Sequence, residues 1–267
     1  MITGIVSLQL MQFFMNVDSV SGTFGTMKKI AQIMDTDSEP DGGEPVPEVC
    51  ADIEFDNVSF AYAGGQDVIK NLSVKIPMGK VTAVIGGNGA GKSTLFKLLL
   101  HLYEPKSGEI RFGGDGIGKY SLTDWRDRFA VVPQRNPLIG GTVRENIAYG
   151  LDREVSDEEL AETARRANFS GGQGQCISIA RAMLRNADYL LLDEATSNLD
   201  VVSEAEVTGA MDELMRDKTT IMIAHNYAAT RNADYIIVMK DGAVGAAGTP
   251  DELLKTNEYY KMFVKTL

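Results

Sequence analysis

The sequence is poor in cysteine and in basic residues, and each shortage excludes a class of protein. Its two cysteines, Cys50 and Cys176, are too few and too far apart for a disulfide framework or a cysteine-based metal site, which fits a reducing compartment. Lysine and arginine number 26 against 37 acidic residues, so the net charge of −11 argues against a nucleic acid as partner. The N-terminus also lacks the basic stretch and the cleavage pattern of a secretory signal.

Residues 1–17 contain no charged side chain and set the N-terminal part of the chain apart. The stretch is at the lower length limit of a membrane span, and its polar residues would be costly in lipid. Two interpretations stay open: an amphipathic helix that packs on its own protein, and the end of a transmembrane helix. Lys28 and Lys29 follow, as expected near a cytoplasmic membrane surface. We therefore predict that residues 1–34 are the end of a transmembrane or membrane-proximal helix.

Residues 35–50 have the composition of a linker. Within 35–48 there are six acidic residues, three prolines, two glycines and no basic residue. Such a segment cannot bury enough apolar surface to fold alone. We expect an acidic Pro/Gly linker over residues 35–50.

From residue 51 onward, short apolar runs alternate with helical patterns. The runs are VTAVIG, FAVVP, YLLLDE, TTIMIAH and YIIVMKDG. Short, continuous and β-branched runs of this kind are typical of strands that are buried on both faces. Their alternation with helices predicts an α/β fold with a mainly parallel sheet.

Residues 86–93 match the phosphate-binding pattern G-x-x-x-x-G-K-[ST] between a predicted strand and a predicted helix. Glycines let successive backbone N–H groups point at phosphate oxygens, and the helix that starts near Gly91 adds the positive end of its dipole. Lys92 places a charge on the β- and γ-phosphates, and Ser93 offers its hydroxyl to Mg²⁺. The predicted nucleotide-binding set is Gly86, Gly87, Asn88, Gly89, Ala90, Gly91, Lys92, Ser93 and Thr94. We call residues 86–94 the phosphate cradle.

Two acidic residues, Asp193 and Glu194, end the apolar run YLLLDE. A buried strand places them at the carboxyl edge of the sheet, where ligands bind in open α/β folds. Without the phosphate cradle, a solvated strand end would be an equally good interpretation. Beside the cradle, Asp193 suits Mg²⁺, which it would bind through water, and Glu194 suits the base that activates the attacking water.

The segment FSGGQGQCISIARA, together with these two motifs, resembles the signature motif of ABC ATPases. Ser170 can cap the helix that begins there, and the glycines leave backbone N–H groups bare as a second anion site. The resemblance covers about residues 51–267. It implies a P-loop NTPase core with a mainly parallel sheet, an antiparallel β subdomain and a truncated α-helical subdomain at about 142–186.

The resemblance also implies roles for single residues. Tyr62 lies where the family has an aromatic residue that stacks on adenine. Gln134 resembles the Q-loop glutamine, which reaches Mg²⁺ and senses the γ-phosphate, and His225 resembles the switch histidine, which contacts the γ-phosphate. The catalytic set that follows is Glu194, His225, Lys92 and Gln134, and the metal set is Ser93, Gln134 and Asp193. The remaining ATP contacts implied are Ser170, Gly171, Gly172, Gln173 and Asp200.

Stretches such as GTVRENIAYG and RNADYIIVMKDG are closest to bacterial exporters of the multidrug, lipid or peptide kind. The resemblance therefore implies a transport-coupled ATPase with ATP and Mg²⁺ as cofactors. It also implies a head-to-tail dimer with a second nucleotide-binding domain, identical or different, and a transmembrane domain of the same transporter. The implied location is the cytoplasmic face of the cell (inner) membrane.

The largest departure from the family is the short distance between Gln134 and Ser170, where exporters carry further helix. We expect part of the helical subdomain to be missing. Arginines that the family often has are replaced by Gly174, Cys176 and Asn226. One alternative is an ATP-binding module with impaired hydrolysis, because the region before the signature is truncated. Another is a soluble ABC ATPase of chromosome, repair or translation work, although its usual coiled coils or basic insertions are missing here.

Overall fold

The structure is a computed structural model that describes residues 11, 24–32, 34–35, 39, 42–168, 174–193 and 201–265, with the backbone alone for 201–206. The chain divides into two units, Met1–Asp41 and Gly42–Leu267.

In the first unit, residues 24–32 form helix α1. Phe24, Met27 and Ile30 recur every three residues along α1, and all three side chains are exposed. None of the helices within the described ranges combines the length and the apolar character that a membrane crossing requires. Residues 1–10 and 12–23, on which the membrane-proximal prediction mainly depends, lie outside the described residues.

The second unit is built around a six-stranded sheet in the order β10-β9-β3-β8-β7-β6. β3 pairs in parallel with β8 and β9, β7 pairs in parallel with β6 and β8, and β10 alone is antiparallel to β9. The mainly parallel sheet is thereby confirmed. Its strands are β3 (Val81–Gly86), β6 (Phe129–Val132), β7 (Tyr189–Asp193), β8 (Thr219–Ile223), β9 (Tyr235–Lys240) and β10 (Ala243–Gly248).

A second sheet has the order β2-β1-β4-β5 and is antiparallel throughout, which confirms the predicted antiparallel subdomain. Its strands are β1 (Ile53–Ala61), β2 (Asp67–Ile76), β4 (Ser107–Phe112) and β5 (Asp115–Gly116). The helices are α2 (Lys92–Leu99), α3 (Leu122–Asp127), α4 (Val143–Ile147), α5 (Asp157–Arg166), α6 (Gly174–Arg185), α7 (Val201–Met215), α8 (Pro250–Thr256) and α9 (Glu258–Lys265).

The core forms two hydrophobic clusters, one on each face of the parallel sheet. Side chains alternate along a strand, so Leu190 and Leu192 of β7 join the cluster that contains α6, whereas Tyr189 and Leu191 join the cluster that contains α2. The second cluster also includes Trp125, which is fully buried and donates its indole N–H to the carbonyl oxygen of Leu99 over 2.8 Å. Burial on both faces explains why these strands read as continuous apolar runs.

The predicted helical subdomain contains α4, α5 and α6 in its described part. Polar caps mark where α4 and α5 begin. Thr142 and Glu145 form a capping box at α4, and the hydroxyl of Ser156 accepts a hydrogen bond from the Glu159 N–H at α5. Residues 169–173, which join α5 to α6, lie outside the described residues.

Residues 42–50 are not a separate linker, contrary to the boundary expected at residue 50. Glu44 forms a parallel β-bridge with Tyr120, in which Glu44 N–H donates to Lys119 O over 2.8 Å and Ser121 N–H donates to Glu44 O over 2.9 Å. Val46 packs against the core cluster that contains α2. We call residues 42–50 the docked segment. Backbone hydrogen bonds and one apolar side chain hold it despite its acidic composition.

Candidate functional site

Parallel strands bring the sequence motifs to one edge of the sheet. Across neighbouring strands Val84 pairs with Ile223, and Ile223 pairs with Asp193. Strands lie about 4.8 Å apart, so Asp193 is about 10 Å from β3 with β8 between them. Because the strands run in the same direction, the phosphate cradle after β3 and Asp193 at the end of β7 share this carboxyl edge.

The backbone of the cradle requires glycine at several positions. Gly86, Gly89 and Gly91 have φ angles of 152°, 77° and 98°, which other residues rarely adopt. A Cβ on Gly86 would clash with the carbonyl oxygen of Met239, and one on Gly91 would lie 2.6 Å from Cδ1 of Ile69. Gly89 instead borders open space among the described residues. The loop therefore packs tightly against β9 at Gly86 and against β2 at Gly91, and leaves space beside Gly89.

Lys92 lies at the first turn of α2 and is only 6% exposed. Its ammonium donates to the carbonyl oxygen of Gly86 over 2.8 Å and to that of Gly87 over 3.1 Å. A buried charge must be paired or hydrogen-bonded, and these two carbonyls satisfy part of its requirement. Phosphate oxygens are stronger acceptors for an ammonium group than neutral carbonyls. The lysine ammonium is thus positioned against the loop of the cradle.

Tyr62 lies beside the same helix. Its hydroxyl oxygen is 3.1 Å from Oγ1 of Thr94, and the Nζ atom of Lys97 is 5.3 Å from the centre of the ring. The rings of Phe60 and Tyr103 contact Tyr62 edge-on, with centroids 4.9 Å and 5.3 Å away. This places an aromatic side chain next to the cradle, as the adenine prediction requires. The contact with Lys97 was not predicted, since a lysine five residues into the helix carries no motif.

Gln134 is the second residue after β6, and His225 is the second residue after β8. Both therefore follow strand ends at the carboxyl edge of the sheet. Both side chains are exposed. Six predicted site residues lie outside the described residues, so their roles stay predictions: Glu194, Ser170, Gly171, Gly172, Gln173 and Asp200.

The donor types at this edge fit Mg²⁺ held through few protein ligands. The Ser93 hydroxyl, the Asp193 carboxylate and the Gln134 amide are oxygen donors, and Mg²⁺ keeps several waters beside such ligands. Within the described ranges, no group of three His, Cys, Asp or Glu residues could hold a metal ion by itself. The residues present would therefore share the ion with phosphate oxygens and water.

Two asparagines were missed by the sequence reasoning. Asn136 lies in the segment between β6 and α4, and Asn146 lies within α4, where it is only 4% exposed. Its side chain bonds to the backbone of Ile139 and Thr142. An asparagine inside GTVRENIAYG gives no signal that distinguishes a buried structural amide from an exposed one.

Comparison with known proteins places these motifs in a family. The sequence model of the ABC transporter family matches residues 69–197. The chain is 38% identical to the ATP-dependent lipid A-core flippases of Escherichia coli K12 and Shigella boydii over 258 aligned residues, and equally to that of Salmonella paratyphi A over 257. ATPase activity is characteristic of this family. The alternative of a module with impaired hydrolysis finds no support here.

The fold comparison agrees. A solved structure of a bacterial Atm1-family ABC exporter with ATP bound superposes with a TM-score of 0.79 at 29% identity, covering 89% of this chain. The chain spans less than half of its relatives, 44% of each flippase and 46% of that exporter chain. The flippase alignment is 258 positions long, yet it includes only 87% of the 267 residues of this chain. Some of its positions therefore hold a residue of the flippase and a gap in this chain. This agrees with a shortened subdomain.

Proposed function

Because it belongs to the ABC transporter family through residues 69–197, we propose that this chain is the motor of an exporter, in which Mg-ATP hydrolysis drives transport. The observation that carries the proposal is the phosphate cradle between β3 and α2. Its glycine backbone leaves space beside Gly89, and the Lys92 ammonium lies against the same loop. A cradle of this kind binds the phosphates of a nucleotide.

Each residue of the site has a distinct proposed task in phosphoryl transfer. Backbone N–H groups of the cradle and Lys92 hold the β- and γ-phosphates, and Tyr62 supports the adenine. Ser93, Gln134 and Asp193 hold Mg²⁺, which when bound neutralises charge on the phosphates. Glu194 accepts a proton from the attacking water or orients it, while His225 contacts the γ-phosphate.

The proposed assembly completes the site with a second nucleotide-binding domain. Residues 170–173 of the partner would close over the γ-phosphate, since their bare N–H groups form a second anion site. A transmembrane domain of the same transporter would convert closing and opening into transport. We place this chain at the cytoplasmic face of the inner membrane. The flippase and exporter relatives support these partners and this location.

The test is the variant Glu194→Gln, which keeps the size of the side chain but removes the base. We expect Mg-ATP binding to persist, measured by titration with a fluorescent ATP analogue, while ATP turnover falls by a factor of about 100 or more. Glu258→Gln, on the exposed start of α9, is the matched control and should hydrolyse ATP like the wild type. Normal turnover of Glu194→Gln would remove Glu194 from this role.

A further inference from the structure

The segment that follows Gln134 is bound to helix α6 directly at one place, and through helix α4 at a second. We propose that Asn136 and Asn146 are positioning residues that make this segment and α6 move as one body. The inference rests on the proposed function, because Gln134 is the predicted γ-phosphate contact and α6 begins directly after the predicted signature at 170–173. We call residues 136–142 the coupled segment.

The first connection joins the coupled segment to the beginning of α6. Asn136 Nδ2 donates to Oε1 of Gln175 over 2.5 Å. Gln175 is only 6% exposed, so this hydrogen bond is largely shielded from water. Asn136 also packs closely on the backbone of Gly174, since a Cβ on Gly174 would lie 3.3 Å from Cβ of Asn136. The segment therefore contacts the first turn of α6 through both packing and a hydrogen bond.

The second connection runs through Asn146 of α4. Its Oδ1 accepts the N–H of Ile139 over 2.9 Å, and its Nδ2 donates to the carbonyl oxygens of Ile139 and Thr142 over 3.1 Å and 3.0 Å. One buried amide thus satisfies both backbone groups of Ile139. The backbone carbonyl of Asn146 accepts from Nε of Arg181 over 2.9 Å, which ties α4 to the middle of α6.

These two connections restrict the freedom of the coupled segment to move alone. A displacement of Gln134 on contact with a γ-phosphate would therefore be passed to α6 and to the signature before it. In a head-to-tail dimer that signature serves the ATP of the other chain. The two asparagines would then link the nucleotide sites through a contiguous set of hydrogen bonds.

The test is Asn146→Asp, which keeps the size and the acceptor oxygen but replaces the two N–H donors with a second acceptor oxygen and a negative charge. We expect kcat for ATP to fall about tenfold while the affinity for Mg-ATP stays unchanged, because the cradle is untouched. Backbone amides of residues 137–141 should exchange hydrogen faster. The matched control is Glu145→Ala, which removes the capping box of the same helix but leaves the bonds to Ile139. Its kcat should equal that of the wild type.

Equal kcat for Asn146→Asp and wild type would overturn the inference. The inference would also be overturned if Asn146→Asp and Glu145→Ala lowered the melting temperature equally and lost the same fraction of kcat. If Asn146→Asp does not fold, the double-mutant cycle of Asn136→Ala and Gln175→Ala decides. Non-additive effects on kcat support the coupling, and additive effects contradict it.

Failure of the proposed function would give a different result, namely a folded wild-type chain that does not hydrolyse ATP. Hydrogen exchange then decides the coupling by itself. Faster exchange in Asn136→Ala at residues 137–141 and also at the start of α6 supports it. Faster exchange confined to residues 137–141 contradicts it.

Discussion

The hydroxyl of Tyr189 and the backbone of Ala51 form a double hydrogen bond. The Ala51 N–H donates to the hydroxyl oxygen over 2.8 Å, and the hydroxyl donates to the Ala51 carbonyl oxygen over 2.7 Å. Tyr189 begins strand β7, which ends at Asp193. This pair therefore joins the residue that follows the docked segment to the strand that carries a predicted Mg²⁺ ligand.

The first prediction concerns the pH dependence of this pair. Burial raises the pKa of Tyr189 to about 12, whereas the tyrosine of an unfolded chain ionises near pH 10. The native state favours the neutral hydroxyl, so its stabilisation is complete below pH 10 and is lost as the pH rises towards 12. The free energy of unfolding of the wild type, measured with urea, should fall more steeply in this range than that of Tyr189→Phe. At pH 7 we expect Tyr189→Phe to be about 1–2 kcal/mol less stable.

Tyr259→Phe is the control for this series, since its side chain is exposed on α9. It should match the wild type at every pH. Parallel pH profiles for wild type and Tyr189→Phe would show that the buried hydroxyl does not contribute.

The second prediction concerns the docked segment. A Cβ on Gly43 would clash with the backbone of Tyr120, whereas one on Gly42 meets no described atom within 4 Å. We expect Gly43→Ala to lower the free energy of unfolding by about 1–3 kcal/mol and to speed proteolysis within residues 42–50. Gly42→Ala is a matched control with the same chemical change. Equal proteolysis of both variants would contradict the docking.

The third prediction concerns Lys92. Lys92→Ala should remain folded but lose the rise in melting temperature that Mg-ATP produces in the wild type, because the cradle loses its one ammonium group at the phosphates. Thermal unfolding with and without Mg-ATP measures this. Lys80→Ala removes a lysine from an exposed ion pair with Asp234 and should keep the full shift. A full shift in Lys92→Ala would refute the phosphate-binding role of the loop.

The fourth prediction separates the ring of Tyr62 from its hydroxyl. If the ring supports adenine, Tyr62→Ala should weaken ATP binding about tenfold or more, as loss of a base–aromatic stack does. Tyr62→Phe keeps the ring and loses only the contacts of the hydroxyl with Thr94 and Lys97, so it should bind nearly as the wild type. Isothermal titration measures both. Equal weakening in the two variants would assign the effect to the hydroxyl instead.

The sequence predicts the parallel sheet and the cradle well because each depends on a short, continuous pattern of residues. The run VTAVIG coincides with β3, and its inner residues are buried, as a two-sided strand requires. The helix expected near Gly91 begins at Lys92. In these cases the residues that determine the structure are neighbours in the chain.

The docked segment and Asn146 could not be predicted, for a related reason. The bridge between Glu44 and Tyr120 uses backbone groups, which any sequence possesses. Composition therefore suggested a free linker, although Val46 reaches the core. The bonds of Asn146 likewise depend on the path of the chain around Ile139. Neither set of contacts leaves a periodic pattern of residue types.

The pairing of β6 with β7 has a consequence for how this protein tolerates changes in length. The two strands pair from Phe129 with Tyr189 to Val132 with Leu192, and everything between them is one crossover. A single residue inserted inside β7 would turn Leu190 to the opposite face and shift Asp193 out of phase with its neighbours. Residues gained or lost in the crossover leave that phase intact. The helices of the crossover can therefore be shortened without changing the spacing of the residues at the carboxyl edge of the sheet.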